Sequence, residues 1–346
     1  MRMPTIARWS SAVVLLGCAA ALALAGCDSK SAPAPGNAPE PGNAPAPAPA
    51  LTTVRLQLNW VPEPEFGGFY AAQQDGLFAA QGLNVELVKG ASGTPTAQMA
   101  ASGTVEFAVV SGDQVLSLRE RGGDLVALFT VFHTSPMGVM VKKDAPWQDL
   151  KQVWTSDLTV AMEAGLPYMK FLNATFGAGK VKIVPTGTGL AAFERGTVQA
   201  QQCFIAAEPV QMDLQGVPVR VFSLAASGYD PYTAVVATRR QYLQEHRAEC
   251  ERFVRACREG WTRYLAKPQA YNPAISALNP AMSVKAMDVA AGLQHNLVAP
   301  PPGSADPVGW MSAERWERLA AQLKELGLIN AAPDGAQPPF WNPPAQ

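Results

Sequence analysis

Acids and aromatic rings crowd together in one short stretch, Asn59-Trp60-Val61-Pro62-Glu63-Pro64-Glu65-Phe66-Gly67-Gly68-Phe69-Tyr70. An indole such as Trp60 offers a flat apolar face on which a planar ring can stack, and a carboxylate such as Glu65 accepts from a ring amino or amide group. Phe66 and Tyr70 could extend the aromatic rim. Gly67 and Gly68, bare of side chains just ahead of a helix, would let backbone amides approach a ligand closely. Each residue also has a plain reading: packing for Trp60 and Phe66, solvation for Glu63 and Glu65, a simple turn for the glycines.

Catalytic and metal-binding patterns are missing from the sequence. It contains no GxSxG elbow, no Walker pattern and no glycine-rich dinucleotide fingerprint. His133, His246 and His295 are widely separated, without HxxxH or CxxC spacing, so neither a metal nor a cofactor is expected. A hydrolase using His133 or His246 would have to assemble its partners from scattered positions. Cys203, Cys250 and Cys257 are an odd set, and the last two would stand about 10 Å apart along an unbroken helix, too far for a bridge. Buried free thiols are the expectation, with a pairing to Cys203 left open. With 27 basic and 28 acidic side chains, nothing in the balance attracts nucleic acid.

The elements that must hold these residues alternate between strand and helix. Val54-Arg55-Leu56-Gln57-Leu58 alternates as a first strand ending at Asn59-Trp60, a helix is expected within 66–81, and Leu83–Val88 follows as a strand. A helix within 94–102, a continuous apolar strand at Phe107–Val110, a short helix over 114–121 and a strand over 125–131 complete a first α/β series. A second series begins near Gly138, with strands at 158–162, 181–184, 198–204 and 219–222. Tyr232–Thr238 returns to the first half, and one long amphipathic helix is expected over 242–266, with two more over 282–293 and 314–326. The expected architecture is α/β, two lobes joined by a two-strand hinge near 136–140 and 229–236. Lobe 1 takes 52–137 and 235–330, lobe 2 takes 138–234, and a Pro-rich tail, 331–346, packs loosely. Ligand would sit between the lobes, at the C-terminal ends of the strands.

The N-terminal residues carry a separate message. Arg2 and Arg8 precede an apolar run, Ala12–Ala25, too short to span a bilayer comfortably. It ends in Leu24-Ala25-Gly26-Cys27, which resembles a bacterial lipobox and implies cleavage after residue 26 and lipidation of Cys27; a signal anchor is the alternative. Asp28 resembles an inner-membrane retention signal. Residues 27–51, almost all Ala, Pro and Gly, read as an extended tether, at about 3 Å per residue. The expected location is therefore the periplasmic face of the inner membrane, touched only through the lipid.

Several motifs carry a family resemblance. Leu58-Asn59-Trp60-Val61-Pro62, Gly68-Phe69-Tyr70-Ala71-Ala72, Asp75-Gly76-Leu77-Phe78, Gln81-Gly82-Leu83-Asn84-Val85-Glu86, Gly103-Thr104-Val105-Glu106-Phe107-Ala108 and Phe193-Glu194-Arg195-Gly196-Thr197-Val198-Gln199-Ala200 resemble ABC-transporter periplasmic substrate-binding proteins of the NMT1/THI5-like branch, related to thiamine-pyrimidine synthesis and uptake. The resemblance covers about 52–295. It implies the type II periplasmic binding protein fold, a small-molecule ligand, an inner-membrane ABC permease as partner, and a monomer. It also implies that Ser111, Asp113 and Glu208 join Asn59, Trp60, Glu65, Phe66, Gly67 and Tyr70 at the cleft; the inferred topology turns Gly187, Thr188 and Cys203 toward the same opening, and Tyr229 and Asp230, at the return crossing, could gate closure or contact ligand. Synthase relatives carry a lysine in the region of Val109–Gln114 and a run of cysteines near the return crossing. Val110-Ser111-Gly112-Asp113-Gln114 and Ser227-Gly228-Tyr229-Asp230 have neither, so no Schiff base to a pyridoxal cofactor and no enzyme is expected. With no arginine placed on the cleft loops, small anions are disfavoured. A thiamine pyrimidine precursor leads, riboflavin or another flat heterocycle follows, and a ligand sensor for a membrane signalling partner is the reading of a different class.

Overall fold

The computed structural model of the protein describes residues 50–163, 165–187, 189–300, 303–331 and 337–344. Residues 1–49, which hold the expected signal peptide, Cys27 and nearly all of the tether, lie outside them, as does Thr188. Within the described residues ten strands make two five-stranded sheets. The first joins β1 (Thr52–Gln57), β2 (Leu83–Val88), β3 (Phe107–Val110), β4 (Leu125–Phe132) and β10 (Thr233–Arg239) in the order β2-β1-β3-β10-β4. The second joins β5 (Met137–Lys142), β6 (Thr159–Met162), β7 (Lys182–Pro185), β8 (Ala200–Phe204) and β9 (Val219–Ser223) in the order β7-β6-β8-β5-β9.

Side-chain patterning explains the layers. In β2, Leu83 and Val85 are buried while Asn84 and Glu86 face solvent, as an edge strand requires. β3 and β4 are buried at every position and are covered on both faces. β10 returns antiparallel between β3 and β4, which makes this sheet mixed. In the helix Arg247–Ala266, Cys250, Phe253, Val254, Cys257, Trp261 and Tyr264 recur every three or four residues and form the buried stripe. Phe253 stacks on Phe107 with ring centres 4.1 Å apart. The second lobe has its own core around Trp154, Tyr168, Phe171 and Tyr229.

Three local expectations differ. The helix expected over 66–81 breaks at Asp75–Gly76, where Gly76 adopts φ +67°, leaving helices Gly67–Gln74 and Leu77–Ala80. The long helix splits at His246 into Arg240–Glu245 and Arg247–Ala266, so that the Tyr242 ring stacks on His246 and its hydroxyl donates to Glu249. The tail is docked rather than loose: Ala127 N–H donates to Pro339 O (2.9 Å), Trp341 N–H donates to Ala127 O (2.8 Å), and Phe340 stacks on Trp316. An open edge of β4 supplied backbone groups that needed partners, which composition alone does not reveal. Cys203, Cys250 and Cys257 are free and buried. No helix among the described residues is long and apolar enough to cross a membrane.

The chain passes between the sheets twice, through 133–136 after β4 and through 224–232 before β10. These passages lie side by side, with Ser135 N–H donating to Asp230 Oδ1 at 2.7 Å.

Candidate functional site

The ends of four strands converge on one cleft. β1 leads into Asn59 and Trp60, β6 into Glu163, β7 into Thr186, and β8 ends in Cys203 and Phe204 before Ala207 and Glu208. With Glu63, Glu65 and Gln202, these residues line a cavity of about 50 Å³ that is partly open to solvent. Strand C-termini are where an open α/β sheet leaves room for ligand, because the flanking helices diverge there.

Local bonding fixes the lining. Trp60 O accepts the Gly90 N–H at 2.9 Å, and a Cβ on Gly90 would lie 2.3 Å from Leu58 O, so only glycine lets that loop brace the end of β1. The acidic loop is held from behind by the C-terminal helices: Asn279 Nδ2 donates to Pro62 O (3.0 Å) and Gln294 Nε2 to Pro64 O (2.7 Å). Glu208 opens a helix, and one of its oxygens accepts the Phe204 N–H at 2.8 Å. Gln202 Oε1 accepts from Tyr168 Oη (2.5 Å) and from the Glu163 N–H (3.0 Å). Phe204 meets Phe132 of the other lobe edge to face, ring centres 6.0 Å apart.

Four glutamates line this one space. Burial, then the neighbouring charges of Glu208 and Glu65, holds Glu63 well above the ordinary carboxylate range. Glu65 is raised in the same way by burial and by Glu208, and burial pushes Glu208 up to about 7. Burial also raises Glu163. Glu65 Oε1 and Asn59 Oδ1 are buried acceptors without a hydrogen-bond partner. No arginine or lysine is among the described lining residues.

Of the residues expected at the site, Asn59, Trp60, Glu65, Cys203 and Glu208 line the cleft together. The structure places the others elsewhere. Phe66 is in the lobe 1 core, and Tyr70 is buried in the same cluster. Gly67 and Gly68 face the rings of Tyr264 and Trp261, which a Cβ would approach to 2.2 Å; their bareness serves helix packing. Asp113 is fully engaged, accepting from Ser111 Oγ, from Tyr229 Oη (2.5 Å) and from the Gln114 N–H (2.8 Å). Asp230 bonds Ser135 and Arg315 between the lobes. Gly187 is exposed beside the lining residue Thr186. From sequence Glu63 reads only as a rim acid, and Glu163, Thr186 and Gln202 carry no motif that marks them as cleft residues. The available signal was position, since Glu163 and Thr186 each directly follow a strand of the parallel β6–β7 pair.

A family model described as NMT1/THI5 like matches residues 63–271, more than half of the chain. The chain belongs to this family. Riboflavin-binding protein RibY of Chloroflexus aurantiacus is 25% identical over 352 residues, covering 94% of this chain and 95% of that protein. The formylaminopyrimidine-binding protein of Halalkalibacterium halodurans is 23% identical over 283 residues, covering 79% and 85%. Among solved structures, the periplasmic aliphatic sulphonate binding protein SsuA of Escherichia coli superposes with a TM-score of 0.61 at 16% identity, covering 86% of this chain and 94% of that one. The alkanesulfonate-binding protein SsuA of Xanthomonas axonopodis pv. citri, bound to MOPS, gives 0.63 at 12%, covering 85% and 100%. At such identity the likeness is one of fold, and this family member has the periplasmic binding protein fold. Both curated relatives are binding proteins rather than enzymes, and this family member is a solute-binding protein of the ABC-type import class.

Proposed function

We propose that this family member captures a small planar nitrogen heterocycle outside the cytoplasm by closing its two lobes, and delivers it to an ABC permease. The observation that carries the ligand class is Glu65 Oε1, a buried acceptor with no partner in a cleft walled by acids and by Trp60. A buried acceptor left unpaired costs about 1–3 kcal/mol, which a ligand N–H would recover. An anion would meet four glutamates and no basic side chain, so the sulfonate chemistry of the fold neighbours is not carried over. A ring stacked on Trp60, with amino or ring N–H groups toward Glu65 and Asn59, satisfies both demands. A thiamine pyrimidine precursor fits this pattern and is the leading ligand. Riboflavin is the second reading, favoured by the extent of the match to RibY.

Calorimetry on a panel of aminopyrimidines, riboflavin and alkanesulfonates tests this. Trp60→Ala should weaken the heterocycle that binds by roughly 1 to 3 kcal/mol, and Glu65→Ala should weaken it too, because it removes the oxygen that a ligand N–H would meet. Binding of a sulfonate alone, with no response to any heterocycle, would sink the reading.

Lipidation of Cys27 belongs to the same proposal. Metabolic labelling with radioactive palmitate should mark the chain, and Cys27→Ala should abolish the label; persistent labelling would move the anchor elsewhere.

A further inference from the structure

Both passages between the lobes run past one side chain. Arg315, near the start of the helix Ala313–Glu325, donates to His133 O on the first passage and, at 3.1 Å, to Asp230 O on the second. It also donates to Asp230 Oδ1 at 3.0 Å, the oxygen that accepts the Ser135 N–H from the first passage. Guanidinium, carboxylate and the two backbones form one closed circuit. The guanidinium lies over the Tyr232 ring, 4.1 Å from its centre, and Tyr232 Oη accepts the Ser312 N–H of the same helix end at 2.9 Å. Ser135 Oγ and Thr233 Oγ1 are 3.0 Å apart, which ties the passages once more.

The next residue, Ala234, is the only non-glycine with positive φ, +52°, among the described residues. A side chain held in that region is strained and persists only where the surroundings over-determine it. It lies where the second passage enters β10. Hinge motions are absorbed by a few residues at such element ends.

The lobes are in contact at the far side of the cleft as well. Ser92 Oγ donates to Thr186 O (3.1 Å) and the Gly93 N–H to Glu163 Oε1 (3.3 Å) across its mouth. The Arg315 circuit therefore coexists with lobes that touch across the mouth. A planar fork binding two backbones in fixed directions resists their relative rotation, because turning either passage lengthens at least one charge-assisted bond.

We propose that Arg315 is the positioning residue for lobe closure, coupling the two passages so that they bend as one and holding the closed arrangement. The claim does not depend on which ligand binds. It is tested by hydrogen exchange with mass spectrometry on the full, ligand-free chain. Arg315→Ala should raise exchange about tenfold in peptides spanning 90–95, at the distant cleft mouth, while the central strand Phe107–Val110 keeps its protection. Arg315→Lys, a point donor that cannot fork, should move the mouth in the same direction but less. Unchanged exchange at the mouth overturns the proposal, and so does a uniform rise in every peptide, which reports global loosening only. Should Arg315→Ala not fold, Asp230→Asn, which removes the ion pair but keeps the carbonyl bonds, is read by the same two criteria.

Discussion

Unliganded protein is expected to lose stability as the pH rises from about 4.5 through 7, with the acid cluster of the cleft as the cause. The sign follows from the direction of the shifts. Unfolded glutamate titrates near 4.5, whereas folded Glu208 holds its proton to about 7. Between those values the folded state carries a proton that the unfolded state has released, so folding is favoured below the window and the contribution fades through it. For Glu208 this is at most roughly 3 kcal/mol, reduced by the solvent that the open side of the cleft admits. Glu63 and Glu65, raised well above the ordinary value by burial and by their neighbours, extend the slope to higher pH. His133 acts the opposite way: burial lowers its affinity for a proton, which adds stability as pH rises toward 6.5. Asp75, lowered by its Arg263 hydrogen bond, has already made its contribution above 4.5. Comparing thermal midpoints of wild type and Glu208→Gln from pH 4.5 to 8 isolates the cluster. The variant keeps an acceptor for the Phe204 N–H and should show a flatter profile; parallel profiles would mean that Glu208 is not held protonated.

The second large effect lies behind the site. Gly260 sits where the helix Arg247–Ala266 meets the helix Gly67–Gln74. A Cβ there would lie 2.3 Å from Gly68 O and 2.9 Å from Ala72 N, both backbone atoms, and 2.7 Å from Ala72 Cβ. No side-chain rotation relieves a clash with backbone, so the two helices must separate. Gly260→Val should cost about 3 kcal/mol or somewhat more, at the upper end for overpacking, read as a lowered denaturant midpoint at constant slope. The displaced helix begins directly after Glu65 and Phe66, so weaker ligand binding should accompany the loss. An unchanged midpoint would show that the helices tolerate a wider spacing. Gly260→Ala should lie between the two.

Much of the fold was legible because it follows from local rules. Strand alternation at Val54 and Leu56, the continuous apolar run Phe107–Val110 and the helical stripe through Phe253, Val254, Cys257 and Trp261 each report their own burial. The cleft position of Trp60 and Glu65 was legible too, since both follow the first strand. Residues whose surroundings come from afar were not. Asp113 looks like a free acid ahead of a helix, yet its oxygens are occupied by Ser111, Gln114 and, from 116 residues away, Tyr229. Gly67 and Gly68 look poised for a ligand, yet they accommodate the rings of Tyr264 and Trp261.

Sequence alone determined the alternation of strands and helices, the family motifs and the aromatic and acidic character of the Trp60–Glu65 loop. Tertiary structure alone decided which acids share a cavity, that Glu65 keeps an unpaired oxygen there, and that one arginine near the C-terminus grips both passages between the lobes. The physical reason is range. Periodicity and turn chemistry act between residues a few positions apart, whereas the pairing of buried charges depends on which distant segments folding brings within a few ångströms.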